Sequence, residues 1–238
     1  MKKLEGRLAL ITGANRGIGL AITKAYVAEG ARCVLAGRNA AALEKTAKEL
    51  GAAGVLPMDL DQPDSIRAAT KSFAASHPKL DILVANAAVL GARKPIAEDS
   101  LDSWVHTFQA NVHANLLLLQ GLDALLKKSD SGRIVMLSTG VARLPKAGAG
   151  SYAVTKAALE MMSLIYAQEV AATPIKLNIV NPGPTRTAMR AQVMPKEDPM
   201  TLKTPEDIAP LFVELASASY MKSGEWFNAD NWLKEQKK

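Results

Sequence analysis

The sequence predicts one α/β domain over residues 1–238, a doubly wound parallel sheet of about seven strands with helices on both faces. Three observations carry that reading. Short apolar runs alternate with helix-length segments along the chain, and those runs are continuously hydrophobic, as strands buried on both faces must be. A chain of 238 residues with 48% hydrophobic content is long enough to bury a large core.

The expected strands, in order, are residues 8–11, 33–36, 55–56, 82–84, 134–137 and 175–180. A helix through Ala21, Ala25 and Val27 follows the first strand. Residues 104–126 carry Val105, Phe108, Val112, Leu116 and Leu119 at helical spacing, which predicts one core-facing helix. Ile208, Leu211, Phe212 and Leu215 repeat the pattern. Thr204-Pro205-Glu206-Asp207 has the hydroxyl cap, first-turn proline and acidic residues of a helix start. Residues 185–203 lack periodicity, contain Pro195 and Pro199, and read as a substrate flap.

Composition narrows the function. The single cysteine, Cys33, excludes an internal disulfide framework and fits a reducing compartment. Two lysines near the N-terminus precede no apolar leader core, and no segment reaches the roughly 18 uninterrupted apolar residues of a membrane span. The expectation is a soluble cytoplasmic protein with no membrane partner. The charge of +6 is spread along the chain and aromatics are only 5%, so a solvated surface is expected rather than a nucleic-acid site. His77, His106 and His113 show no ligand spacing, so no metal site is expected.

Directly after the first strand stands Thr12-Gly13-Ala14-Asn15-Arg16-Gly17-Ile18-Gly19. Glycines there make a tight turn, let backbone approach a pyrophosphate and let the helix pack on the strand, while its first amides face the anion. No Gly-Lys-Ser/Thr follows, so this is not a nucleotide-triphosphate loop. A second strand ending in Asp or Glu would hold a free ribose 2′-hydroxyl. This one ends in Gly37-Arg38, and Arg38 with Arg16 can pair with a 2′-phosphate, which predicts NADP(H) over NAD.

Tyr152 and Lys156 stand four apart at a helix start, on one face. A nearby ammonium lowers a phenol's pKa and makes it a usable proton donor and acceptor. Ser138 ends the run 134–137 at the carboxyl edge of the sheet, within reach of a substrate oxygen. Asn111 lies in an apolar helix and needs partners, through helix–helix hydrogen bonding or through a catalytic role.

Taken together, the turn at 12–19, Asp59, Asn86-Ala87-Ala88, Asn111, Ser138, Tyr152-x-x-x-Lys156 and Pro182-Gly183-Pro184-Thr185-Arg186-Thr187 resemble the short-chain dehydrogenase/reductase family, in its motif order. The resemblance implies a Rossmann fold on which Tyr152 is the general acid or base. Lys156 would tune the phenol and hold the nicotinamide ribose, and Ser138 would orient the carbonyl oxygen. Asn111 would anchor a water in a proton relay. Cofactor binding would fall to Gly13, Asn15, Arg16, Gly17, Ile18 and Gly19 at the pyrophosphate, Arg38 at the 2′-phosphate, Asp59 and Leu60 toward the adenine, and Asn86, Ala87 and Ala88 along the cleft. Tyr152, Lys156, Pro182, Gly183, Thr185 and Thr187 would complete it around the nicotinamide. Ala88 replaces a usual glycine and Thr185 a usual Val or Ile, small changes expected to alter affinity only.

The resemblance further implies a homodimer or homotetramer built on helices 104–126 and 152–171, and makes Gly224 to Asn228 the last strand. The expected activity is NADPH-dependent interconversion of a ketone, aldehyde or 3-oxoacyl group and an alcohol. The alternative is a non-catalytic NADP-binding scaffold on the same fold. Arg143, Lys146, Arg186, Arg190 and Lys196 flank the substrate mouth and read as solvated cations, with a carboxylate or acyl-carrier phosphate as the other possibility.

Overall fold

The computed structural model describes residues 2–237; Met1 and Lys238, the two ends of the predicted domain, lie outside them. The chain runs β1 (Leu8–Thr12), α1 (Gly17–Ala28), β2 (Arg32–Gly37), α2 (Ala40–Leu50), β3 (Gly54–Pro57), α3 (Pro63–Ser76) and β4 (Ile82–Ala85). It continues through α4 (Leu101–Phe108), α5 (Ala114–Lys127), β5 (Arg133–Leu137), α6 (Gly150–Glu169), β6 (Lys176–Asn181), α7 (Ala188–Val193), α8 (Pro205–Ala216), β7 (Trp226–Asn228) and α9 (Ala229–Glu235).

All strand pairs are parallel, in the order β3-β2-β1-β4-β5-β6-β7. The expected doubly wound sheet is thus the observed one, and the expected last strand is present as β7 at one edge. Continuous hydrophobicity has a direct cause here. Leu8, Leu10, Val34, Leu83 and Ile134 pack with Ile66, Phe73, Leu118 and Leu159 of α3, α5 and α6. Their neighbours Ala9, Ile11, Leu35, Val84 and Val135 pack with Ile22, Tyr26, Ile208 and Phe212 of α1 and α8. The chain winds outward from β1 to β3 and then returns to β4. A crevice therefore opens at the carboxyl ends of β1 and β4, where the loops diverge.

The single helix expected over 104–126 is corrected. A π-helical turn, Gln109–His113, separates α4 from α5. Its wider winding rotates the apolar stripe, so Val105 is 54% and Leu116 40% exposed, whereas Ala114, Leu118, Leu122 and Leu125 face the core. The start of α8 matches its sequence signature. Thr204 Oγ1 accepts from the Asp207 amide and Asp207 Oδ2 from the Thr204 amide, at 3.2 and 2.6 Å.

Two buried arginines, which residue patterns did not single out, tie down the end of α8. Arg133 donates to the carbonyls of Ser217 and Ala218 at 3.0 and 2.8 Å, and Arg7 to that of Ala216. Burial, with Arg7 nearby, brings the Arg133 guanidinium down to about 10. Among the described residues no helix is long and apolar enough to cross a membrane.

Candidate active site

The glycine turn is built as its sequence requires. Gly13 and Gly17 adopt φ of 66° and 53°, in the left-handed region. At Gly19 a Cβ would lie 2.6 Å from Asn86 Nδ2 and nearer still to the Gly13 carbonyl, so only glycine lets α1 pack this close. Asn15 and Ile18 are half-buried in the turn, and Arg16 is exposed at the N-terminus of α1. The turn is tied to the end of β4. Thr12 Oγ1 accepts from the amides of Asn86 and Ala87, both at 3.0 Å, and Asn86 Nδ2 donates to the Thr12 carbonyl at 2.8 Å. Ala88 follows, half-buried.

At the outer end of the crevice Arg38 is exposed after β2, its side chain 62% accessible, with Nη1 3.4 Å from Asp61 Oδ2. His106 reaches the other oxygen of Asp61 at 3.5 Å. Asp59 Oδ1 accepts from the Asp61 amide at 3.1 Å, and the Leu60 carbonyl accepts from Gln109 Nε2 at 3.0 Å. Helix-terminal amides beside glycine, with exposed guanidinium groups nearby, are a donor set that fits a phosphorylated dinucleotide.

At the inner end, Ser138 and Lys156 are buried, and Tyr152 is partly so, on the end of β5 and the first two turns of α6. Lys156 Nζ donates to the Leu137 carbonyl at 2.7 Å. Burial pulls this ammonium down to about 8, against the carboxylate of Glu160. Burial likewise pushes the Tyr152 phenol up to about 12, with the Thr139 hydroxyl pulling the other way. The lowering of the phenol by Lys156 expected from spacing is therefore corrected: the ammonium is turned to a backbone carbonyl, and desolvation dominates at Tyr152.

Asn111 lies in the π-helical turn. Its Nδ2 donates to the Val89 carbonyl and Thr155 Oγ1 at 2.9 and 3.0 Å, and its Oδ1 accepts from the Val89 amide at 2.9 Å. It thereby joins the loop after β4 to the residue preceding Lys156. The segment 182–187 closes the site from β6. Thr185 Oγ1 donates to the carbonyls of Pro182 and Gly183, both at 3.2 Å. Thr187 caps α7 and stands nearest to Gly17. A backbone bridge between Thr185 and Lys203 joins the two ends of the predicted flap. Within it, Arg186, Thr187, Met194, Pro199 and Leu202 line a cavity of about 430 Å³.

Residue patterns missed Glu160. Its carboxylate is buried, accepts from Ser138 Oγ at 2.5 Å and Trp226 Nε1 at 3.0 Å, and meets Arg143 Nε at 2.7 Å. The available signal was a polar line at intervals of four, Tyr152, Lys156 and Glu160, along α6. Of the expected mouth cations, Arg143 pairs with Glu160 and Arg190 with Glu197, as nearby Lys203 does with Asp230; Lys146, Arg186 and Lys196 have no carboxylate partner among the described residues.

The short chain dehydrogenase family profile matches residues 7–198. The uncharacterized oxidoreductase YciK of Escherichia coli K12 is 37% identical over 234 residues, covering 95% of this chain and 92% of that one. The 3-oxoacyl-[acyl-carrier-protein] reductase FabG of Salmonella typhimurium is 32% identical, covering 96% and 98%. Among solved structures, a putative short chain dehydrogenase from Escherichia coli CFT073 complexed with NADPH aligns with a TM-score of 0.91 at 37% identity, covering 96% and 98%. Fold, motif order and similarity over nearly the whole length agree, and the chain belongs to the short-chain dehydrogenase family of oxidoreductases.

Proposed function

We propose that the protein interconverts a ketone, aldehyde or 3-oxoacyl group and the corresponding alcohol, with NADP(H) as the redox partner. The observation that carries this reading is the convergence of Ser138, Tyr152 and Lys156 at the same sheet edge as the turn Gly13 to Gly19. When bound, the nicotinamide supplies a hydride to the carbonyl carbon or takes one from the carbinol carbon. In reduction Tyr152 supplies the matching proton to the oxygen, its raised pKa keeping it protonated at neutral pH, and in oxidation its phenolate takes the hydroxyl proton. Lys156 holds the nicotinamide ribose, Asn111 fixes the loop after β4 against α6, and Ser138 borders the substrate oxygen. Gly13, Asn15, Arg16, Gly17, Ile18 and Gly19 cradle the pyrophosphate, Asp59 and Leu60 border the adenine, and Asn86 to Ala88 with Pro182, Gly183, Thr185 and Thr187 line the nicotinamide end.

Arg143 and Arg190 are held by Glu160 and Glu197, while Lys146, Arg186 and Lys196 take no carboxylate partner among the described residues, so a carboxylate or carrier-linked acyl substrate stays within reach of the mouth. Loss of NADPH absorbance with a panel of ketones, aldehydes and 3-oxoacyl thioesters tests the activity. No turnover with any of them, alongside tight NADPH binding, would favour the scaffold alternative.

Arg38 is the residue that reads the 2′-phosphate. Arg38→Ala is expected to raise the KM for NADPH on the order of tenfold and to leave that for NADH within about twofold. Equal effects on both cofactors would remove Arg38 from this role.

We also propose a homo-oligomer. Leu116, Met161 and Ile165 are exposed beside one another along an open groove between α5 and α6, and a second copy would cover them. Sedimentation at micromolar concentration should give a dimer or tetramer, and Ile165→Asp should reduce it to monomer. A wild-type monomer would refute the assembly.

A further inference from the structure

The Lys203 side chain has no place in the roles above, yet it is only 12% exposed, enclosed between the segment 182–187 and α9. Its Nζ donates to the Pro184 carbonyl at 2.7 Å and to Asp230 Oδ1 at 2.5 Å. Its own carbonyl accepts from the Arg186 amide at 2.9 Å, so one residue grips the chain on either side of Thr185. Asp230, in the first turn of α9, lies against the same segment. A Cβ at Gly183 would overlap Asp230 Oδ2 and come within 3.0 Å of Lys203 Nζ. The Asp230 amide is in turn held by Asn228 Oδ1 at 2.8 Å, where β7 ends. Three segments distant in sequence therefore meet at one charged pair: the loop after β6, the end of the flap, and the turn from β7 into α9. A hydrogen bond between charged groups is a stronger link than a neutral one.

We propose that Lys203 and Asp230 are positioning residues that clamp the segment 182–187 and so fix the nicotinamide end of the cofactor cleft. The C-terminal helix α9 thereby takes part in cofactor binding through the loop it braces. Both ends of the flap, Thr185 and Lys203, belong to the same clamp. Among the described residues no hydrogen bond ties either side chain to the turn Gly13 to Gly19 or to Arg38, so the adenine half of the cradle is independent of it. The inference rests on the placement of Pro182 to Thr187 at the nicotinamide, proposed above.

Two ligands that differ only in the nicotinamide test it, NADPH and 2′-phospho-ADP-ribose. Lys203→Met keeps the apolar stem and removes both hydrogen bonds of the ammonium. Affinity for NADPH should fall on the order of tenfold, while that for 2′-phospho-ADP-ribose stays within about twofold. In the ligand-free variant the Arg186 amide should exchange with deuterium about tenfold faster. Asp230→Ala should weaken NADPH binding about fivefold alone and less than about twofold in a Lys203→Met background, because it acts through the ammonium. Asp230→Asn, which keeps an oxygen acceptor, should recover most of the affinity. If Lys203→Met fails to fold, Asp230→Ala, at a half-exposed site, carries the same comparison of ligands. Equal losses for both ligands would mean a purely structural role and overturn the proposal, as would no loss for either. A wild-type protein that binds neither ligand would instead overturn the cofactor assignment, and the clamp with it.

Discussion

Tyr152→Phe is expected to lower kcat for carbonyl reduction about a thousandfold while leaving NADPH binding within about twofold, within the range that a positioned general acid supplies. The substitution removes one hydroxyl from a half-buried ring and leaves the ring itself in place, so the fold and the glycine turn keep their packing. Separating the two readouts is what makes the experiment decisive. Fluorescence titration with NADPH reports the cradle, and single-turnover kinetics report the proton. Turnover unchanged in the variant would take the proton-donor role from Tyr152.

The pH profile adds a sign. Tyr152 stays protonated up to about 12 and Lys156 keeps its charge only up to about 8, both because burial disfavours the ion. For the free enzyme, kcat/KM for reduction should therefore be flat at neutral pH and fall as pH rises through about 8, as Lys156 loses the charge that holds the ribose. A profile that falls toward acid pH instead would contradict this assignment.

Gly19→Ala should damage both stability and cofactor binding. The new methyl would sit 2.6 Å from Asn86 Nδ2 and closer to the Gly13 carbonyl, and neither is the free end of a flexible chain. Asn86 is fastened to Thr12, and Gly13 is backbone of the turn itself. Overpacking against fixed atoms costs about 2–3 kcal/mol, and in a chain of this size a Tm drop of roughly 5–10 °C follows. Separating α1 from β1 also moves the helix-terminal amides off the pyrophosphate, so NADPH affinity should fall on the order of a hundredfold. Gly54→Ala is the control. Its Cβ would meet nothing within 4 Å, so neither Tm nor affinity should change. Equal behaviour of the two variants would refute the packing account of Gly19.

What could be read without coordinates was whatever depends on near neighbours in sequence. The runs 8–11 and 134–137 read as strands because burial on both faces leaves no polar alternation to confuse them. Thr204 to Asp207 read as a cap because all of its hydrogen bonds close within four residues. The turn from Gly13 to Gly19 was legible because the backbone conformation and close approach it needs exclude side chains locally. Arg38 was visible as the residue ending the second strand, but its neighbour Asp61 was not.

The sequence by itself thus determined the doubly wound sheet, the phosphate-facing turn and the residue types at the reacting end, since each follows from local conformation and periodicity. Only tertiary structure decided which partners those side chains take. Lys156 donates a hydrogen bond to the Leu137 carbonyl rather than pairing with Tyr152, and Ser138 meets a carboxylate 22 residues away that in turn meets Trp226 66 residues further on. The π-helical turn at Gln109–His113 likewise changed which leucines face inward. Desolvation and hydrogen bonding act between groups close in space, and a linear pattern holds no record of that distance.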